Sequence, residues 1–530
     1  MSQVYVKNKK NGTTYVYEST NYWDKAKKQS RSKRVCIGKL DEAGQLITSK
    51  RLLQPESEVK PGPVVAAKVS RFFYGSTYLL DSIGTKVGID ADLKTCFPDS
   101  YKQILSLAYY LVLESDNPMS RFPRWQYTHK HPYGKDIPSQ RSSELLKTIT
   151  EADKQYFFRL QAKRRLEREY LAYDITSISS YSESLKQVKY GNNKDHDPLP
   201  QINLALLFGE QSNLPFYYRK LPGNIPDVKT LQGLLADMNQ FQMGKIKLVM
   251  DRGFYSEKNI NGLYQNHLKF LVSTKLGLKY VQQELDKVRS TFRTRVNYVS
   301  KYQIYTHTAM IEWNYEQERP YKQDILVGKR RIYLHLYYSR AKALEHEERF
   351  NATLDLLEEE LKSGKRNPEH ERQYLKYFDI STTPVRGTKI TVKQDAVDKV
   401  ERNYGFFALL SNDVNDPVQA LELYRNKDLV EKAFGNLKER LNMRRTTVSS
   451  ESALEGKLFI QFVALIYLSY LKKQMETADL FGTFTLQGVL DELDVIEAFE
   501  EPGFRLRLGE MTNKQAELYK VLGINPPTSL

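Results

Sequence analysis

Tyr424, Lys427, Glu431 and Lys438 recur at spacings of three, four and seven in the stretch YRNKDLVEKAFGNLK. On a helix turning ~100° per residue these four fall within roughly 60° of one another. Leu429, Val430, Ala433, Phe434, Leu437 and Leu441 share the neighbouring arc, which would pack on a core. Arg425 points away from the polar four. A carboxylate held beside two cations and a phenol suits a metal and phosphate site. The carboxylate can hold a cation while the lysines and hydroxyl orient a polyanion. The duller reading is a solvated face with a Glu/Lys ladder.

Two further acids sharpen the choice. Asp174 lies inside the apolar strand pattern REYLAYDITSISSYS (168–182), where a lone carboxylate is costly unless its charge is compensated. Asp251 ends the strand pattern KIKLVMD (245–251) and is followed by Arg252 and Gly253, which places it at a strand tip. Acids at strand ends of α/β sheets face the crevice where ligands bind. With Glu431 they make three carboxylates from separate parts of the chain. Such a set can bind a pair of divalent metals ~3.5–4 Å apart for in-line attack on a phosphodiester. Mg²⁺ suits an all-oxygen site that keeps waters and substrate phosphate in its shell. Singly, Asp174 could be a strand hydrogen-bonder, Asp251 a turn former and Glu431 an ion-pair partner.

The elements that must position these residues can be read around them. At 530 residues the chain is too long for one ordinary core. A hydrophobic content of 40% with 12% aromatics indicates folded domains. Eighty Lys+Arg against 64 Asp+Glu give a net charge of +16, which suits a polyanionic partner without specifying one. Cys36 and Cys96 are the only cysteines, so a disulfide framework or cysteine zinc site is excluded and a reducing cytoplasm is expected. The start MSQVYVKNKKNGT lacks an apolar h-region, so no signal peptide is expected. The apolar run Leu458–Leu471, about 14 residues with Gln461 inside it, reads as a buried helix and not a membrane span.

Residues 1–60 read as short strands, including TTYVYEST and a hairpin RVCIGKL–DEAGQLI turning at Asp41–Gly44. Between them KAKKQSRSKR carries six cations from Lys25 to Arg34, a solvated loop or a phosphate grip. Pro61–Pro63 marks a linker. Residues 61–167 read as a helical DNA-binding region. It contains the core helix YKQILSLAYYLVLESD and a Thr150–Asp153 cap, and a basic stripe at Lys163, Arg164, Arg165 and Arg168 marks its end. The stretch SRFPRWQYTHKHPYGK interleaves aromatic and basic residues, which suits either an ordinary loop or a segment that stacks on bases while neutralising phosphates.

Strands and helices then alternate as βββαβαβ over 168–275, a mixed α/β layer arrangement in the order of the ribonuclease H-like fold. Residues 276–403 read as a β-rich insertion. Residues 404–446 return to the core through the buried strand GFFALLSND and the Tyr424–Lys438 helix, and 447–530 read as helical.

YDITSIS, LVMDRGFYSEKNI and YRNKDLVEKAFGNLKERL resemble the three acidic motifs of bacterial insertion-sequence DDE transposases. Within them the resemblance is to the group whose third motif is Tyr, Arg, Glu and Lys at this spacing. GTTYVYES and GKLFIQFVAL are also similar to that group, so the resemblance spans nearly the whole chain. It implies Asp174, Asp251 and Glu431 as catalytic, metal-binding acids using Mg²⁺, with Mn²⁺ able to substitute. It implies Tyr424 and Lys438 as contacts to the transposon-end DNA, and Trp313 as a residue that could stack on a flipped base, although a core aromatic is the plainer reading of Trp313; Arg252, beside Asp251, is read as a further DNA contact. Lys427 stands where the group has arginine, keeping the charge and losing the bidentate fork.

The expectation is a cytoplasmic transposase that dimerises on double-stranded DNA, cuts at its element's terminal inverted repeats and joins the 3′-OH ends to target DNA, with no membrane role. The alternatives are a transposase-derived DNA-binding regulator without activity and a stand-alone Mg²⁺-dependent nuclease of the same fold.

Overall fold

The computed structural model describes residues 2–24, 27–49, 69–164, 169–182, 184–240, 246–319, 324–383, 387–501 and 503–528. Lys25, the linker at Pro61–Pro63, and Arg165 and Arg168 of the basic stripe lie outside the described residues. The chain divides into two compact units, Met1–Val69 and Ser70–Leu530.

The first unit is an antiparallel sheet of β1 (Ser2–Lys7), β2 (Thr14–Asp24), β3 (Gln29–Leu40) and β4 (Leu46–Thr48), in that order. The Asp41–Gly44 turn forms as the sequence indicates. Asp41 Oδ1 accepts the Gln45 N–H at 2.7 Å, and Gly44 takes φ +78°, which a side chain would resist. The basic run differs from the loop expected of it: β2 continues to Asp24 and β3 begins at Gln29, so Arg31, Lys33 and Arg34 are strand residues. Both faces of this extension are exposed, so no apolar alternation marked it as strand.

The second unit begins with β5 (Ser70–Phe73), which pairs with Glu497–Glu500. Helices Gly75–Val87, Tyr101–Leu113 and Glu151–Lys163 pack with the long helix Glu451–Thr477 into one apolar core. Thr150 caps Glu151–Lys163 by accepting the Asp153 N–H at 3.2 Å. Glu451–Thr477 is long and apolar enough to cross a bilayer, but 89% of its apolar window is buried inside the protein, as befits a core helix. The aromatic–basic stretch 120–135 turns its rings inward. Phe122, Trp125 and His129 are buried, with Trp125 stacked on His129 at 4.4 Å between ring centres, while Arg121, Arg124 and Tyr127 face solvent. A spacing of three to four residues on short helical turns puts these rings on one side.

The body is built on a large mixed sheet. β6 (Tyr170–Ser180), β7 (Gln201–Gly209) and β8 (Pro215–Pro222) form an antiparallel meander. β9 (Lys247–Met250) and β10 (Lys269–Thr274) lie parallel to β6 on its other side, each reached through a helix, Asp227–Gln240 and Glu257–Gln265. The order β8-β7-β6-β9-β10 is consistent with a ribonuclease H-like arrangement.

The supposed insertion divides. β11 (Tyr298–Val299) pairs with β12 (Ile304–Arg319), which pairs along its whole length with β13 (Asp324–Ser339). β14 (Phe378–Thr383) and β15 (Gly387–Val392) form a separate small sheet. β13 pairs with β16 (Phe406–Ser411), which closes on β10, so the long hairpin extends the central sheet instead of forming its own domain. Residues 340–401 are mostly helical around a cluster of Leu357, Leu361, Tyr374, Tyr377 and Phe378. Alternation reveals a strand but not the neighbour it pairs with, so the sequence left this division hidden.

Candidate active site

Strand register brings the first two acids together. Tyr173 of β6 is the partner of Met250 of β9 in a parallel pair, so the next residues, Asp174 and Asp251, lie side by side beyond it. Tyr173 is buried against Phe254, with its hydroxyl 3.2 Å from Thr230 Oγ1. Alternation sends Asp174 to the other face. Asp251 starts the tight turn Arg252–Phe254, just beyond the end of β9.

The third motif is not one continuous helix. It runs as Pro417–Arg425, Asp428–Gly435 and a wide π-helical turn Asn436–Arg440. At the first junction the bonding tightens, with Lys427 N–H donating to Tyr424 O at 3.2 Å and Val430 N–H to Lys427 O at 3.0 Å. The apolar arc survives both breaks: Val430, Ala433, Phe434, Leu437 and Leu441 are buried, and Leu429 is half-buried. Behind the motif, Gln461 of the long helix donates to Leu441 O at 2.7 Å.

Lys427 is the centre of the polar face. It is buried, and its ammonium donates to Glu431 Oε1 at 2.7 Å. Burial would lower its pKa, but the Glu431 bond and the charges of Asp251 and Asp174 hold it above the usual lysine range. Tyr424 donates its hydroxyl to Asp251 Oδ1 at 2.7 Å. Burial and the Asp251 charge push the phenol up, so Tyr424 stays a donor.

The two aspartates differ. Burial raises Asp174 above the usual carboxylate range, only partly offset by Lys194, by the Ile175 N–H at 2.8 Å and by Lys427. Burial acts on Asp251 as well, yet the Tyr424 hydroxyl, Lys427 and the backbone and charge of Arg252 hold it below that range. Two carboxylates in one place are thus biased in opposite directions, a common mark of a working site.

The other candidates sit as follows. Lys438 bonds Asp195 Oδ2 at 2.6 Å, on the loop between β6 and β7. Arg425 stacks over the ring of Tyr302 at 4.5 Å, away from the acids, and Arg252 is exposed at the strand tip. Trp313 is buried on β12, with its indole N–H donating to Asn261 Oδ1 at 2.8 Å. It borders a cleft of about 1010 Å³ whose lining includes none of the three acids.

Sequence reasoning missed Lys194. Its ammonium lies 3.7 Å from Asp174 and 3.4 Å from Asp227, and it also bonds Ile175 O. The signal was the mixed-charge stretch GNNKDHD between two strands, which has no periodicity to place it.

The donor set can be tested against a metal. Among the described residues no three acids stand close enough to hold an ion as they are. The chemistry of the set nevertheless fits a hard divalent cation. Asp174, Asp251 and Glu431 offer only oxygen, and they are gathered around positive charge in the form of the Lys427 ammonium.

Comparison with known families matches residues 165–467 to the model described as Transposase DDE domain. That interval contains all three acids. Among solved structures the chain is similar to a piggyBac transposase synaptic complex with hairpin DNA, determined by cryo-EM. The similarity is at 10% identity and a TM-score of 0.35, covering 79% of this chain and 76% of that one. No curated protein matches the chain.

Proposed function

Because the chain belongs to the family defined by the transposase DDE domain, we propose that it is a bacterial insertion-sequence transposase that acts in the cytoplasm. It binds the terminal inverted repeats of its element as a homodimer, cuts the DNA there and joins the freed 3′-OH ends to target DNA. Its catalytic core is read as ribonuclease H-like, with the third acid on the Asp428–Gly435 helix.

The observation that carries this reading is the convergence of Asp174, Asp251 and Glu431 on one buried ammonium. Held by these three acids, Mg²⁺ (or Mn²⁺) would supply Lewis-acid stabilisation of the attacked phosphate and its leaving oxygen. The chain's own residues set the conditions for that chemistry. Tyr424 keeps Asp251 ionised by donating to it, and Lys427 keeps three carboxylates together that would otherwise repel. Lys194 does the same for Asp174 from the opposite loop. Tyr424 and Lys438, read as contacts to the element end, are bonded in the free protein to Asp251 and Asp195, so binding there would exchange a carboxylate for a phosphate.

The test is incubation with duplexes carrying the DNA that flanks the gene, with Mg²⁺, followed by mapping of cut and joined strands. Cutting at the repeat ends with 3′-OH transfer to a second duplex is expected. Cutting without joining would favour a nuclease, and end binding without cutting would favour a regulator.

A further inference from the structure

The sheet of the first unit is not of uniform width. β1 pairs with β2 only as far as Ser2↔Ser19, and β4 pairs with β3 only over Gly38–Leu40. From Thr20↔Lys33 to Asp24↔Gln29 the hairpin β2–β3 therefore continues as two strands, with no third strand among the described residues of that unit. Nothing apolar is covered by doing so. Residues 20–23 and 27–35 are all exposed, including Tyr22 at 48% and Trp23 at 62%. A bare two-stranded ribbon is marginal in water by itself, and this one carries its aromatics on the outside.

Its charge is one-sided. Residues 20–34 hold six Lys and Arg against the single carboxylate of Asp24. That carboxylate is used locally: Oδ1 accepts the Lys27 N–H at 3.1 Å, and Oδ2 lies 3.5 Å from Arg31 Nε. Cross-strand pairing fixes which side chains share a face. Tyr22 is opposite Arg31 and Thr20 opposite Lys33, so these four stand together, while Trp23, Asn21 and Arg34 stand on the reverse.

We propose that the β2–β3 ribbon enters the major groove of duplex DNA, with Arg31 and Lys33 turned to the base edges. This rests on the reading of the protein as one that binds its own element's ends, and it adds how an end is recognised. Three observations select duplex DNA. The partner must be polyanionic. The major groove, ~12 Å wide, admits a two-stranded ribbon. Strand rise of ~3.4 Å per residue equals the ~3.4 Å step along a DNA strand, so Arg31 and Lys33 fall about two base steps apart. Arginine and lysine address guanine O6 and N7, and the methyl of Thr20 can meet a thymine methyl. Lys27 and Lys28 at the tip, with Arg34 on the reverse face, are left for phosphates, which position without specifying.

The experiment uses the full-length protein with Asp251→Asn, so that ends stay intact. Affinity is measured for the element end and for a scrambled duplex over a range of salt, with guanine-N7 methylation interference on the end. Arg31→Ala with Lys33→Ala is expected to cost roughly 10- to 100-fold on the element end, far less on the scrambled duplex, and to erase interference at guanines two steps apart. Lys27→Ala with Lys28→Ala should weaken both duplexes alike and flatten the salt dependence by about 0.9 per lost contact. Arg31→Lys keeps the charge and the fold but loses the fork, so it should lower the preference for the end while leaving scrambled binding unchanged. Equal weakening on both duplexes by the Arg31/Lys33 pair, or an end preference left untouched by Arg31→Lys, overturns the groove insertion alone. A parent protein that does not prefer its flanking ends overturns both this and the transposase reading.

Discussion

The body of the protein gathers lysine and carboxylate in two buried places, and they are wired differently. In the first, Lys154 of helix Glu151–Lys163 bonds Glu151 at 2.6 Å and Glu455 at 2.5 Å, while Lys220 of β8 bonds Glu451 at 2.6 Å and Glu455 at 2.8 Å. Burial would raise Glu451 and Glu455, but the lysines overcome it and hold both below the usual range, with Lys220 held above its own. Every charge meets its counter-charge directly, and a helix, a strand and the long C-terminal helix are tied together. In the second, Lys427 makes one direct ion pair, with Glu431, and serves Asp174 and Asp251 only through space. Asp174 is left raised. A network built for the fold closes its charges. The candidate active site leaves Asp174 raised even with Lys194 at 3.7 Å and the Ile175 N–H bonded to it, so a further cation there would be favoured.

Removing the acids one at a time should give the largest effect. Asp174→Asn, Asp251→Asn and Glu431→Gln should each cut strand cleavage by ~10³-fold or more, as losing several kcal/mol of metal-assisted stabilisation requires. End binding, measured by gel shift, should persist because phosphate contacts elsewhere carry it. Asp174→Asn should also stabilise the fold by about 0.5–2 kcal/mol, the range usual when a functional compromise is relieved. Its folded pKa is raised, so the ionised form is the penalised one. The gain should therefore be present above the raised folded value and vanish below the ordinary 3.8, where the acid is protonated folded or unfolded. Normal cleavage by any one variant would remove that acid from the site.

Breaking the closed network should do the reverse. Glu455→Gln should destabilise the body by about 3 kcal/mol, the lower end for a broken buried pair because Glu455 keeps some solvent contact. Cleavage per folded molecule should be unchanged. Glu455 is held low, so its support is complete above the ordinary 4.5 and is lost as pH falls through the depressed value. Thermal melts at pH 7 and pH 3 should therefore show the deficit of the variant shrinking in acid. A deficit that grew in acid would mean that the network does not close its charges.

Between these lies Lys427, which belongs to the open site but is buried like the lysines of the closed network. Lys427→Ala should cost about 1.5–3 kcal/mol, the worth of a charge-assisted hydrogen bond. The loss should appear in strand cutting and in the stability of the end complex more than in bulk DNA binding. Lys427→Arg should keep activity or raise it, since the fork can hold Glu431 and a phosphate together. Full activity of Lys427→Ala would reduce the ion cluster to a by-product of packing.

Much of this contrast was legible before any coordinates. Asp174 and Asp251 stood out because a strand pattern makes a carboxylate conspicuous, and Glu431 because its helix repeats a polar face. What could not be read was long-range or aperiodic. Lys194 sits in a turn without pattern, and β13 gave no hint that β16 was its neighbour. The aromatic–basic stretch at 120–135 could not be decided from sequence, because stacking on a base and packing in a core ask for the same rings. The Lys25–Arg34 run misled, since a strand with two wet faces lacks the apolar alternation that betrays strands.

The smallest expected effect tests the backbone on which the open site depends. Arg425 and Lys427 are two residues apart at the junction where the expected continuous helix breaks. An unbroken helix sends them ~200° apart. The tightened turn could have swung Arg425 toward the acids, but it leaves Arg425 exposed over the Tyr302 ring, with its guanidinium 4.5 Å from the ring centre. Such an exposed cation–π contact is worth about 0.5–1 kcal/mol, so Arg425→Ala should cost no more than that in stability and nothing in cleavage. Tyr302 also donates to Glu422 Oε1 at 2.5 Å, a bond that should keep the ring in place after truncation. Cleavage rates and melting temperatures of Arg425→Ala and Lys427→Ala, measured side by side, decide the matter. A crippled Arg425→Ala beside a healthy Lys427→Ala would mean that the junction turns the other way on DNA. The cation serving the acids would then be Arg425, and the open cluster would be a resting arrangement that binding dismantles.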